Sequence, residues 1–162
     1  MGQLDELWRT WLEAHLWIEK PGSTDAWWHV APRPDGVVDE FPLATPVYLL
    51  TAWNPLGEEL PRAVNDERQK GLLSFLNDER VAAVRSFGAL EDRTWAEPGF
   101  ALLDVTEEVA LDIGRRFEQA AIYAWSETRL EVVGALRGGR SSVGWSLDEA
   151  APPTIIESAA GA

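Results

Sequence analysis

One run of seven residues, 47–53 (VYLLTAW), restricts the fold of this chain more than any other segment. Its length and its β-branched and aromatic residues favour a strand that is buried on both faces. The run ends at Asn54-Pro55, and because a residue before proline avoids the helical region, the strand must end there in a turn. A strand of this kind requires packed layers around it.

The segments on either side of this run alternate between helical and extended patterns. Apolar residues at three- and four-residue steps predict helices over residues 4–19, 62–77 and 106–119. Short runs of β formers predict further strands over residues 26–30, 81–87, 100–105, 121–125 and 130–135. We therefore expect one α+β domain over residues 1–136, with a mixed or largely antiparallel sheet and about three packed helices. Gly, Ser, Pro and Ala dominate residues 137–162, which predicts a partly ordered C-terminal tail.

The charge balance limits the class of partner. Twenty-seven acidic residues against fourteen basic ones give a net charge of −13. Such a surface repels phosphate backbones and anionic lipids, so we expect neither nucleic acid nor a membrane as a partner. The chain has no apolar run of the roughly 20 residues that span a bilayer and no signal-peptide pattern at its N-terminus. We expect a cytoplasmic protein.

Several standard kinds of site are missing from the sequence. The absence of cysteine excludes disulfides, thiolate metal sites and thiol nucleophiles. Neither a Walker loop nor a GxGxxG pattern occurs. The two histidines, His15 on the predicted first helix and His29 on a predicted strand, are expected to lie far apart. We expect no cofactor and no metal site.

The remaining candidates are polar residues at the ends of predicted elements: Asn54, Asn65, Glu97 and Gln119. Side chains at such positions commonly cap backbone groups, and the four would then form a structural latch. Loops at a sheet edge are also where ligand sites gather. In that case the four would form an amide-rich pocket with one carboxylate, which would bind a polar small molecule or use Glu97 as a general base.

Nine tryptophans are an excess for a chain of this length, and their simplest role is to pack in the core. Trp27 and Trp28 are adjacent in a predicted strand and must face opposite sides of it, so one of them could line a pocket or an interface. Trp53 and Trp95 adjoin the polar candidates in sequence. We include both among the candidate ligand-binding residues.

The same residues carry a family resemblance. Thr51-Ala52-Trp53-Asn54-Pro55, Asn65 at the start of a helix, Trp95-Ala96-Glu97-Pro98 and residues 116–121 (RFEQAA) resemble the family of domain of unknown function 3293. The resemblance covers about residues 46–133. Glu118 stands where the family pattern implies a glycine. The family has no established activity, so the resemblance implies a residue set without a reaction.

Two functions follow as hypotheses. The first is a binding or regulatory module for a protein or a small polar ligand. The alternative is a hydrolase or transferase that uses Glu97, with a divalent ion held by acids such as Asp66 and Glu97. One observation separates the two hypotheses: a deep, partly apolar pocket beside Glu97 with a raised carboxyl pKa would favour the enzyme, whereas a flat and capped surface would favour interaction. The sequence leaves the oligomeric state open.

Overall fold

The computed structural model describes residues 3–152, which form a closed antiparallel barrel of eight strands with three helices around it. The helices are α1 (Gln3–Glu13), α2 (Arg62–Asp78) and α3 (Glu107–Arg116). The strands are β1 (His15–Glu19), β2 (Trp27–Arg33), β3 (Val47–Leu50), β4 (Ala83–Ala89), β5 (Ala96–Leu102), β6 (Ala121–Trp125), β7 (Leu130–Gly134) and β8 (Arg140–Glu149). Their order around the barrel is β1-β2-β8-β7-β6-β3-β5-β4, and β4 pairs back with β1.

The predicted α+β class is wrong because two strands were missed. Residues 15–19 were assigned to the first helix, but α1 ends at Glu13 and the burial of β1 then alternates with a period of two residues. β8 lies within the predicted tail, so the barrel extends beyond the predicted boundary at residue 136. β1 pairs with β2 and β4, and β8 pairs with β2 and β7. Without these two strands the sheet would be open and β2 would have no neighbour. The last ten residues of the predicted tail, 153–162, lie outside the described part of the chain.

The barrel interior is packed at one end by side chains from seven strands. They are Leu16, Ile18, Val30, Val47, Leu49, Ala101, Trp125, Leu130 and Trp145. Trp125 and Trp145 are fully buried and meet edge to face, with ring centroids 5.4 Å apart. Phe41, from the loop between β2 and β3, packs against Trp125 at 4.8 Å and helps close this end. The inward positions alternate with outward ones along each strand, as barrel closure requires.

A second apolar cluster lies outside the barrel, between the sheet and two helices. Leu72 and Leu76 of α2 and Ala110 and Ile113 of α3 pack against outward residues of β3, β5, β6 and β7. All four residues of β3 are consequently buried, two toward the interior and two beneath the helices. The prediction of a strand buried on both faces is confirmed, but the strand ends at Leu50, three residues before the predicted end at Trp53.

The helix α1 covers the other end of the barrel. Trp8 is its buried anchor, and its Nε1 donates to Ser141 Oγ at 3.0 Å. The backbone carbonyl of Trp11 accepts a hydrogen bond from the Tyr123 hydroxyl at 2.9 Å. Tyr123 belongs to β6, so this bond ties the helix to the barrel wall. Within residues 3–152, no helix has both the length and the apolar character needed to cross a membrane.

Candidate functional site

The turn that follows β3 is fixed by two asparagines. Asn54 has left-handed backbone angles (φ 49°, ψ 65°), a conformation that Asn tolerates better than most residues. Its backbone N–H donates to Asn65 Oδ1 at 2.9 Å, and Asn65 Nδ2 donates to Asn54 Oδ1 at 2.8 Å. The backbone of Leu60 bonds to both asparagines: its N–H donates to Asn54 Oδ1, and its carbonyl accepts from Asn65 Nδ2. Asn65 is almost fully buried.

Side chains from two further elements bind the same turn. Gln119, just after α3, donates from Nε2 to the carbonyls of Trp53 and Phe117, both at 3.1 Å. Arg68 of α2 donates to the carbonyls of Ala52 at 2.6 Å and of Phe117 at 2.7 Å. The turn is therefore bonded to both α2 and the end of α3.

A third residue of α2 completes this network, since Gln69 Oε1 accepts from the backbone N–H of Ala52 at 2.9 Å. We refer to Asn54, Asn65, Arg68, Gln69 and Gln119 as the β3–α2 latch. Sequence reasoning missed Arg68 and Gln69. Their positions three and four residues after Asn65 put all three on one helix face, a spacing that could have identified them.

A cavity of about 340 Å³ occupies the end of the barrel beneath α1. Strands from several sides of the barrel contribute to its wall, and so do α1, the turn after β3 and the turn between β4 and β5. Most of the wall is apolar or aromatic, including Trp11, Leu16, Leu49, Phe87 and Trp95. The volume lies at the lower end of the range of small-molecule sites, roughly 300–1,000 Å³.

Glu97 belongs to the wall of this cavity. It lies on β5 opposite Gly88 of β4, and the inward face of β5 continues through Gly99 and Ala101. A Cβ at Gly99 would meet the Leu50 carbonyl oxygen at 2.6 Å, so only glycine allows β5 to approach β3 this closely. The residue as a whole is half-buried, but its Oε2 atom is completely buried and has no hydrogen-bond partner in the described structure. Burial raises the pKa of Glu97 to about 8.

Tyr123 lies in the same wall, on the inward face of β6. Burial, and secondarily the Glu97 carboxyl, raise the pKa of the Tyr123 hydroxyl well above its ordinary value. The hydroxyl is therefore protonated at neutral pH and donates to Trp11. Sequence analysis did not single out Tyr123, although its alternation with Ala121 and Trp125 is the pattern of an inward face.

The structure divides the predicted candidates into two groups. Asn54, Trp95 and Gln119 line the same cavity as Glu97, whereas Asn65 and Trp53 are not part of its wall. Trp53 is buried, and the Arg62 guanidinium lies 5.9 Å from its ring centroid. Among the residues described, no hydrogen bond joins Glu97 to Asn54, Asn65 or Gln119. The three amides belong to the latch, and Glu97 stands apart from it.

The expectation that the two histidines lie far apart is wrong. Because residue 15 begins β1 rather than continuing a helix, His15 faces His29 on the neighbouring strand β2, with Nδ1 and Nε2 2.8 Å apart. His29 Nδ1 lies 2.7 Å from Asp148 Oδ1. His15 Nε2 lies 3.4 Å from Glu91 Oε1. Burial, and secondarily His29, lower the pKa of His15 below its ordinary value.

The acids suggested for a divalent ion do not converge. Asp66 pairs with Arg62 across one turn of α2 at 3.6 Å, whereas Glu97 lies in the cavity wall. Within residues 3–152, no group of three His, Asp or Glu side chains is arranged to hold a metal ion.

Comparison with known proteins matches the central part of the chain to one family model. No curated protein and no solved structure matches the chain. Residues 50–122 match the family model described as "Protein of unknown function (DUF3293)". This segment runs from the end of β3 to the start of β6, and it contains the latch, Trp95 and Glu97. The resemblance predicted from the sequence is thus confirmed over residues 50–122, the segment that matches the DUF3293 family model.

Proposed function

We propose that this protein binds a small molecule inside its barrel, with Glu97 as the polar anchor. The observation that carries the proposal is the buried, unpartnered Oε2 of Glu97 in the wall of a cavity of about 340 Å³. Burying a carboxyl group without a partner is costly, and such costs are concentrated at functional sites. A mostly apolar cavity with few polar groups is the usual form of a ligand site.

The latch supports the same proposal. Its hydrogen bonds between α2, the end of α3 and the turn after β3 are complete without Glu97. Glu97 therefore has no capping role that would account for its burial. A ligand with a hydrogen-bond donor would give Oε2 the partner that it lacks among residues 3–152.

Catalysis at the same carboxyl is the second candidate. A carboxyl pKa near neutrality, here about 8, is typical of general acids and bases. Binding is favoured over catalysis because two hydroxyl groups of the wall that could act beside Glu97 already donate elsewhere. Tyr123 donates to the Trp11 carbonyl, and Thr51 donates to the Pro98 carbonyl.

Ligand retention tests the proposal. The purified chain is incubated with a mixed metabolite extract, desalted and denatured, and the released molecules are identified by mass spectrometry. Ala121→Leu adds volume to the cavity wall, whereas Ala31→Leu makes the same change on β2 outside the cavity.

The wild-type chain and Ala31→Leu should retain the same molecule, and Ala121→Leu should lose it. Melting curves of both variants verify that they are folded. Equal retention by a folded Ala121→Leu variant, or no retained molecule in any of the three proteins, would show that the cavity is not a binding site.

A further inference from the structure

The charge of the cavity wall restricts the class of ligand, an inference that rests on the proposed binding site. Among the described residues of this wall, the charged side chains are Glu59 and Glu97, and none is Lys, Arg or His. An anionic ligand would meet two carboxyl groups and no cation to offset its desolvation. A cation would meet two potential counter-ions.

Four hydroxyl donors of the wall are already engaged elsewhere. Tyr123 donates to the Trp11 carbonyl and Thr51 to the Pro98 carbonyl. Thr10 donates to the Glu6 carbonyl and Thr94 to the Asp92 carboxylate. Because Oε2 of Glu97 has no partner among the described residues, a donor on the ligand would satisfy this atom.

The remaining wall suits the body of an organic cation. Trp11, Trp95 and Tyr123 line the cavity. Aromatic faces attract ammonium groups within about 6 Å of the ring centroid and bury apolar groups equally well. A ligand with one ammonium group and an apolar body would therefore satisfy both the carboxyl group and the wall.

We propose that the ligand is a small organic amine, bound as the ammonium ion with its N–H groups directed at Glu97 and its apolar part against the aromatic wall. Before the amine binds, burial raises the pKa of Glu97 and favours its protonated form at neutral pH. The ammonium ion pairs with the carboxylate, so this proton leaves to solvent as the amine binds. No covalent bond is formed or broken other than this O–H bond.

The groups that face Glu97 do not supply another source for this proton. From β6, Tyr123 faces it and is protonated, with its hydroxyl donating to Trp11. From β4, the wall contributes Ser86, Phe87 and Gly88, and α1 contributes Leu7, Thr10 and Trp11, none of which titrates near neutrality. Glu59 enters the wall from the segment before α2.

Calorimetry with a matched set of probes tests the inference. 2-Phenylethylamine, 2-phenylethanol and 3-phenylpropanoate have similar apolar bodies and carry a cation, a neutral hydroxyl and an anion. The wild-type chain should bind the amine most tightly and the anion least. Glu97→Gln should weaken amine binding about 10- to 100-fold, as loss of a charged hydrogen bond does, and leave the alcohol nearly unchanged.

Proton release gives a second readout. Titrations of the amine in phosphate and in Tris buffer should differ in heat by close to one proton per amine at neutral pH, because these buffers differ in ionisation enthalpy. Glu97→Gln should abolish the difference, and Glu127→Gln, an exposed carboxyl in the β6–β7 turn, should retain it.

The outcomes separate this inference from the proposed function. If the alcohol binds as tightly as the amine, if the amine releases no proton, or if none of the three probes binds at millimolar concentration, the amine inference is overturned. The proposed binding site is tested by a different experiment. It would be refuted if the Ala121→Leu variant retained the same metabolite as the wild-type chain.

Discussion

Glu97→Gln distinguishes a binding carboxyl from a structural one through the pH dependence of stability. Glutamine has nearly the same shape as glutamic acid but cannot ionise. In the folded chain, burial raises the pKa of Glu97 from 4.5 to about 8. The folded state therefore holds a proton that the unfolded state releases. The stability from this difference is fully present below about pH 4.5 and is lost as the pH rises to about 8.

The size of the effect follows from the pKa values. Each pH unit between them costs the wild-type chain about 1.4 kcal/mol of unfolding free energy. From pH 4.5 to pH 7 the accumulated loss is about 3 kcal/mol, and above pH 8 it approaches about 5 kcal/mol. The Glu97→Gln variant does not undergo this loss, because glutamine does not ionise. We expect the variant to match the wild type in acid and to be about 3 kcal/mol more stable at pH 7.

The difference in unfolding free energy between the wild type and Glu97→Gln is measured by urea unfolding, followed by circular dichroism. The measurement is repeated at steps from about pH 5 to about pH 9. Glu127→Gln, in the exposed β6–β7 turn, controls for the loss of one negative charge. Parallel stability curves for the wild type and Glu97→Gln would show that Glu97 is an ordinary solvated carboxylate. A variant less stable by about 1–3 kcal/mol at every pH would make Glu97 a structural residue like those of the latch.

Three further changes test the fold and the latch. Glu118→Gly should raise the free energy of unfolding by about 0.5–1 kcal/mol, because residue 118 has φ 59° and a non-glycine residue is strained in this left-handed conformation. A lower melting temperature of the variant would contradict this. Asn65→Ala should lower the free energy of unfolding in urea by about 2–4 kcal/mol, because the Asn54 N–H and the Leu60 carbonyl lose their partners. A decrease below about 0.5 kcal/mol would show that Asn65 is not part of the latch. Truncation after Leu136 removes β8 and should abolish cooperative thermal unfolding, so a wild-type melting curve from the truncated chain would be inconsistent with the closed barrel.

Local patterns predicted the central elements of this fold and failed at the two strands that close it. β3, α2, α3 and the β6–β7 hairpin have long or regular patterns with clear turn residues around them. β1 follows α1 after one residue, and Leu16 lies four residues after Leu12, so the helical spacing extends into the strand. β8 contains Ser and Gly at four positions where strand formers are usual, with Val143, Trp145 and Leu147 as its inward residues.

The candidate site was predictable only in part, for the same reason. Positions at the ends of elements identified Asn54, Asn65 and Gln119, because capping and turn chemistry depend on local sequence. The cavity depends on barrel closure, which no local pattern encodes. Tyr123 and Glu97 become neighbours in one wall only after β6 and β5 have both paired with β3. The proximity of His15 and His29 likewise required β1 to be identified as a strand.

From the sequence, a structural latch and a ligand pocket are alternative roles for the same polar residues. In the structure, two residues of the latch also belong to the wall of the cavity. Asn54 and Gln119 bond within the latch and also line the cavity. The backbone around them is strained, with left-handed angles at Asn54 (φ 49°), Leu56 (φ 52°) and Glu118 (φ 59°), and the Leu56 N–H donates to the Glu118 carbonyl at 2.8 Å. Strain of this kind persists only where surrounding contacts hold it, and it is concentrated at binding and catalytic sites. A rigid rim beside an unpartnered carboxyl reduces the ordering that a ligand must cause on binding, which supports a ligand site built upon the latch.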